Sequence, residues 1–87
     1  MDKQKLQTLL REKITVLQQL SYEDLCRFIN NPQTEKHGEK ETFYQVEWES
    51  FYDDNKSKKL RVMVCIDNGS WRAFRPLCDD FLITPDN

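Results

Sequence analysis

The stretch LRVMVCIDNGS, residues 60–70, decides the fold of this chain of 87 residues. Its even-numbered positions up to 66 are aliphatic, and they alternate with Arg61, Met63, Cys65 and Asp67. This period of two predicts a β-strand over about residues 59–67 that buries one of its faces. The Asn68-Gly69 pair is typical of a type I′ hairpin turn, whose two central residues both need a positive φ. We therefore expect a second strand, over about residues 70–77, to pair back onto the first.

This turn would fix the register between the two strands. Asp67 would face Ser70 and Ile66 would face Trp71, because antiparallel partners are counted outward from the turn. On the side of the sheet away from the aliphatic residues, three cross-strand pairs follow: Met63 with Phe74, Cys65 with Arg72, and Arg61 with Pro76.

Another alternating strand is predicted before the quoted stretch, over about residues 42–52. Placing Trp48 opposite Val62 sets Glu49 opposite Arg61, which is an attractive cross-strand charge pair. The same register leaves a short connecting loop between the two strands. The strand therefore joins the sheet with Tyr44, Trp48 and Tyr52 on the aliphatic face and with Phe43 and Phe51 on the other face.

Two helices are predicted ahead of the strands. Apolar residues recur at helical spacing over about residues 2–20. Ser21, followed by acidic residues, is a helix N-cap signal for a second helix over about residues 22–30. The polar residues 31–41 are expected to form a linker, and residues 79–87 a tail in which a short strand can form.

These elements predict a single small α+β domain. Two N-terminal helices would pack on one face of a three-stranded antiparallel β-meander, or of a four-stranded one if the tail also pairs. The antiparallel arrangement follows from the short hairpin connections, because parallel strands need long crossovers.

The composition excludes several classes of function. The formal net charge is −2, and neither half of the chain is a basic arm of the kind that binds nucleic acid. The two glycines, Gly38 and Gly69, are too far apart for a dinucleotide-binding or P-loop motif. We expect no metal ion and no cofactor, because His37 is the only histidine and falls in the predicted exposed linker.

The three cysteines, Cys26, Cys65 and Cys78, have no C-x-x-C spacing. Their odd number, and an N-terminus without the apolar segment of a signal peptide, predict free thiols in a reducing cytoplasm. The longest apolar run is far too short to span a bilayer, so no membrane association is expected.

Two carboxylate-containing segments resemble catalytic or metal-binding patterns. Asp79-Asp80 is a carboxylate pair, but adjacent side chains point apart, and a turn is the better interpretation. Asp53-x-Asn55-x-Ser57 has the oxygen spacing that begins an EF-hand loop, but the glycine and glutamate that complete such a loop are missing. Neither segment predicts a catalytic or calcium-binding site.

The sheet face opposite the predicted helices provides the candidate binding site. Arginine, methionine and aromatic residues are enriched at protein interfaces. The predicted registers bring such residues together on this face: Arg61, Met63, Arg72, Phe74 and, beside them, Glu49. We therefore predict a non-catalytic cytoplasmic module that binds a protein partner, or a second copy as a homodimer, through this face.

Two other functions are compatible with the sequence. A single-stranded nucleic-acid-binding domain would stack bases on strand aromatics and neutralise phosphates with arginines. The residues for that function would be Phe43, Phe51, Phe74, Arg61 and Arg72. A small enzyme would use Cys65 as a nucleophile, because the facing arginine gives it positive surroundings.

Overall fold

The computed structural model describes residues 2–69 and 76–85. This part of the chain contains two α-helices and one antiparallel sheet with the strand order β1-β2-β3-β4. The elements are, in chain order, α1 (Lys3–Gln18), α2 (Tyr22–Cys26), β1 (Gln33–His37), a 3₁₀ turn (Lys40–Thr42), β2 (Tyr44–Asp54), β3 (Lys59–Asp67) and β4 (Leu77–Ile83). The predicted α+β architecture, with helices packed on an antiparallel meander, is confirmed.

Helix α1 lies across β3 and β4 and buries a stripe of leucines against them. Asp2 caps its N-terminus by accepting a hydrogen bond from the backbone N–H of Lys5 at 2.7 Å. Leu6, Leu10 and Leu17 are buried. No helix in the described part of the chain is both long and apolar enough to cross a membrane.

Helix α2 begins where the sequence predicts and ends earlier. The Ser21 side chain accepts a hydrogen bond from the backbone N–H of Asp24 at 3.1 Å, so the predicted N-cap is confirmed. The helix ends at Cys26, and Asn30 takes a positive φ of 55°. An α-helix over residues 22–30 is therefore wrong. From Arg27 to Ile29 each backbone N–H donates to the carbonyl three residues back, as in a 3₁₀ turn, and the left-handed Asn30 follows.

The predicted linker over residues 31–41 contains a strand, β1, which the alternation rule misses. β1 pairs with β2 from Gln33 opposite Trp48 to His37 opposite Tyr44. It lies at the edge of the sheet, and after Gln33 all its residues are exposed. An edge strand with no buried side has no reason to carry alternating apolar residues, so no period of two was present to detect.

Strand β3 has the alternation that the sequence predicts. Its aliphatic side chains are fully buried, and the residues between them are half-exposed. They meet the helices on what we call the covered face of the sheet. The buried core consists of Leu6, Leu10, Leu17, Leu25, Val46, Trp48, Leu60, Val62, Val64 and Ile66.

The strand that follows β3 is displaced along the chain. Ile66 lies opposite Leu77, not Trp71, so the predicted register between β3 and residues 70–77 is wrong. Residues 70–75 of that predicted strand lie outside the described residues. The type I′ turn does not form because, of the Asn68-Gly69 pair, only Gly69 takes a positive φ, at 81°. Instead, Asp67 Oδ1 accepts a hydrogen bond from the Gly69 N–H at 2.8 Å.

The predicted tail therefore forms most of β4. Asp79 and Asp80, predicted to lie in a turn, lie within this strand and oppose Val64 and Met63. Pro76 comes immediately before β4, where its missing N–H removes no hydrogen bond from the ladder.

The register between β2 and β3 differs from the predicted one by two residues. Trp48 lies opposite Val64, and Glu49 lies opposite Met63. A shift by an even number keeps every side chain on its predicted face, because the side-chain period of a strand is two. The faces were predicted correctly, whereas the individual cross-strand pairs were wrong.

Lys13 of α1 links the helix to the first two strands. Its Nζ lies 3.9 Å from the centroid of the Trp48 ring and 2.8 Å from Oε1 of Glu35 on β1. The hydrogen bond from Lys13 holds the pKa of Glu35 below its usual range. The Trp48 ring also meets the edge of Phe28, with centroids 5.9 Å apart. The Lys13 side chain thus connects α1 with β1 and β2.

Candidate protein-binding face

The sheet face turned away from the helices, which we call the open face, carries every second residue of each strand. Its membership follows from the observed registers and from strand alternation. In the described part of the chain it comprises Thr34, Lys36, Gln45, Glu47, Glu49, Phe51, Asp53, Asp54, Lys59, Arg61, Met63, Cys65, Asp67, Cys78, Asp80 and Leu82.

The structure brings together three of the five residues predicted to bind a partner. Arg61 and Met63 are neighbours on β3, and Glu49 lies on β2 directly opposite Met63. The other two, Arg72 and Phe74, lie outside the described residues. Their predicted partners Cys65 and Met63 are paired with Cys78 and Asp80 of β4 instead.

Arg61 is held by carboxylates on both sides. Its Nε and Nη2 each lie 2.9 Å from Oδ1 of Asp53, and its Nη1 lies 2.8 Å from Oδ2 of Asp80. Hydrogen bonds to Asp53 and then to Asp80 raise the pKa of Arg61. The predicted pair with Glu49 is therefore wrong. Two negative charges surround one positive charge, so Arg61 joins β2, β3 and β4 and does not make this face basic.

Asp53 reaches Arg61 because β2 is irregular at this point. The register shifts between Tyr52 and Asp54, which leaves Asp53 as the extra residue of a β-bulge. Bulges bend a strand and redirect a side chain, and here the redirected carboxylate lies beside the guanidinium. The sequence shows no sign of this irregularity.

Apolar side chains flank the Arg61 cluster. Phe51 and Leu82 lie directly opposite Arg61 on its two sides, and they are 39% and 43% exposed. Met63, two residues from Arg61 along β3, is half-buried. The sequence prediction missed Leu82 by assigning it to the tail. The alternation of Leu77, Phe81 and Ile83 could have revealed the strand, although Asp79 interrupts it.

A disulfide bond joins the last two strands on the open face. Cys65 lies opposite Cys78, with Cα atoms 4.1 Å apart, and their sulfur atoms are bonded. The prediction of free thiols is wrong for this pair, because β4 begins later than expected and brings Cys78 to Cys65. Cys26 remains a free thiol, half-buried on α2. The cysteines therefore no longer argue for a reducing compartment.

Two carboxylates on the open face have no counterion in the described part of the chain. Glu47 and Glu49 are exposed on β2, and neither forms an ion pair with residues 2–69 or 76–85. Asp67, by contrast, accepts hydrogen bonds from Gln45 Nε2, the shorter at 3.0 Å. Among the described residues of this face, carboxylates outnumber the cations Lys36, Lys59 and Arg61, so this part of the face carries a negative charge.

Both outer edges of the sheet carry charged side chains. At the β4 edge, Asp79 points to the covered face while Asp80 points to the open face. At the other edge, Glu35, Lys36 and His37 are exposed on β1. Charges on an edge strand, inward-pointing ones above all, hinder pairing with a strand of another chain.

The remaining sequence candidates do not come together as a chemical site. His37 ends β1 and stacks on Tyr44, with ring centroids 4.9 Å apart. Asp79 and Asp80 lie on opposite faces, and the sulfur of Cys65 is bonded to Cys78. Among the described residues, no group of three or more His, Cys, Asp or Glu side chains could hold a metal ion.

Comparison of the chain with protein-family models, with curated proteins and with solved structures finds no match.

Proposed function

We propose that this chain is a non-catalytic module that binds a protein partner through the open face. The observation that carries the proposal is the exposed apolar pair Phe51 and Leu82, set on either side of the ion-paired Arg61. Aromatic residues, methionine and arginine are enriched at protein interfaces, and this part of the open face combines Phe51, Met63 and Arg61. Among the described elements, both helices pack on the other face, so none competes for this one.

The charges of the face favour a protein over nucleic acid. Arg61 already binds two carboxylates, and Glu47 and Glu49 add unpaired negative charge. A phosphate backbone would be repelled here, since nucleic-acid affinity depends on neutralising phosphates with cations. Phe43, which the sequence offers as a base-stacking residue, packs its ring against Gly69. A Cβ atom added to Gly69 would lie only 2.9 Å from that ring.

The same charges favour a different protein over a second copy of this chain. A two-fold dimer through the open face would set the same patch against itself, and its carboxylates would oppose each other. The charged edges hinder a dimer by strand addition. We therefore favour a different protein as the partner over a homodimer of this chain.

Affinity purification from the native host tests the proposal. The wild-type chain is compared with Leu82→Ser, which makes the open face polar, and with Val16→Ser on α1. Both positions hold an exposed aliphatic residue, 43% and 53% exposed, so the control matches the variant in chemistry. We expect Leu82→Ser to lose the partner and Val16→Ser to keep it.

Two outcomes would overturn the proposal. One is equal recovery of bound proteins by Leu82→Ser and the wild type. The other is a wild-type dimer, seen by size-exclusion chromatography with light scattering, that Leu82→Ser converts to a monomer. That second result would assign the open face to self-association.

A further inference from the structure

We infer that the partner presents a basic amphipathic segment to the open face, with lysine or arginine side chains next to aliphatic ones. This inference rests on the proposed function and specifies the chemistry of the partner. It follows from the positions of the unpaired carboxylates relative to the exposed apolar side chains.

The unpaired carboxylates form a row along β2. Glu47 and Glu49 are two residues apart on the same side of one strand, which places their Cα atoms about 7 Å apart. Cations spaced along one side of a peptide can approach both carboxylates at once. Nothing else in the described chain neutralises them, so a partner can supply charges that are missing.

The apolar side chains lie beside this row. Glu49 is directly opposite Met63. Two residues further along β2, Phe51 lies opposite Arg61, and Arg61 lies opposite Leu82 on its other side. A bound segment that places cations near Glu47 and Glu49 therefore has Met63, Phe51 and Leu82 within reach of its aliphatic side chains.

Arg61 does not weaken this charge complementarity. Asp53 and Asp80 occupy three of its nitrogens at 2.8–2.9 Å, so the cluster of three side chains carries a net negative charge. The guanidinium positions two carboxylates and offers little repulsion to an incoming cation. An acidic segment, in contrast, would meet unfavourable charge at both ends of the patch.

Peptide binding, followed by fluorescence anisotropy at low salt, tests this inference. The probe is a short, labelled, amidated peptide of lysine and leucine with the leucines on one side. One matched peptide has glutamate in place of lysine, and another has serine in place of leucine. We expect the wild-type chain to bind the lysine–leucine peptide more tightly than either matched peptide, because only that peptide supplies both cations and apolar side chains.

A pair of chain variants locates the binding. Glu47→Gln/Glu49→Gln removes the unpaired carboxylates and should weaken binding about fivefold, the effect of two exposed charge pairs. Glu12→Gln/Glu23→Gln makes the same change at exposed helix residues and should leave affinity unchanged. Equal affinity for the lysine and glutamate peptides, or no effect of the change at Glu47 and Glu49, would overturn the inference.

Failure of this inference is distinguishable from failure of the proposed function. If the lysine–leucine peptide does not bind but Leu82→Ser still abolishes recovery of the native partner, the open face is a docking surface for a partner of different chemistry. If Leu82→Ser also has no effect, the face is not a binding site.

Discussion

On the covered face of β3, all of the aliphatic side chains are completely buried, whereas on the open face of the same strand the side chains are only half-buried. The covered face is held by close packing under two helices. The open face is held by specific bonds: the ion pairs of Arg61 and the disulfide of Cys65. The two faces of one strand thus contribute to stability in different ways.

This difference separates residues needed for folding from residues available for binding. Burial is non-directional, and each buried carbon contributes to stability in proportion to the area removed from water. On the open face, bonds across the strands fix the sheet without covering Phe51 and Leu82. Apolar surface can therefore remain exposed there without being required for the fold.

The largest expected effect comes from shortening a buried side chain of the covered face. Ile66 is fully buried, and Ile66→Ala should lower the free energy of unfolding by about 3 kcal/mol through lost transfer energy and the cavity left behind. Leu82→Ala on the open face should cost less than about 1 kcal/mol. Urea denaturation of both variants measures the difference. Similar losses would show that the open face is packed like the covered one.

The alternation of β3 carried most of what could be predicted about the fold. It placed the buried face correctly, and that assignment survived the register error because the error was an even number of residues. The position of β4 was not predicted, because the Asn68-Gly69 pair favours a type I′ turn that would start the next strand at residue 70, and Asn68 does not take the positive φ that this turn needs. β1 was not predicted, because a strand at an exposed edge of the sheet needs no apolar residues.

The disulfide is expected to have the next largest effect, and it belongs to the open face alone. Cys65 and Cys78 are separated by 13 residues. Closing a loop of this size restricts the unfolded chain and stabilises the native state by about 3 kcal/mol in the chain-entropy model, and often by less in practice. We expect a reductant, or the Cys65→Ser/Cys78→Ser variant, to lower the urea midpoint.

Thiol counting provides the control for that experiment. The unfolded, oxidised wild type should titrate a single thiol, from Cys26, and the reduced protein should titrate all three. The Cys26→Ser variant should retain its sensitivity to reductant. A titration of three thiols without reductant would contradict the disulfide and restore the sequence prediction of free cysteines.

The candidate face was predicted better in position than in charge. Arg61, Met63 and Glu49 share a face because strand alternation requires it, and alternation is visible in the sequence. The partners of Arg61 come from a bulge at Asp53 and from the unexpected strand containing Asp80. The bulge has no local signal, and Asp79 interrupts the alternation of β4. A face that reads as arginine-rich in the sequence is therefore acidic over the part that the structure describes.

The smallest expected effect is a gain in stability, and it tests whether water reaches the covered face. Ser50 lies on β2 opposite Val62 and is 1% exposed, and its hydroxyl has no hydrogen-bond partner among the described residues. A buried hydroxyl without a partner loses its hydration with no compensation. Ser50→Ala should therefore raise the free energy of unfolding by about 1 kcal/mol, measured by urea denaturation, whereas Ser57→Ala in the exposed β2–β3 loop should not raise it. A clear loss of stability in Ser50→Ala would mean that the hydroxyl is satisfied in solution and that water reaches the covered face.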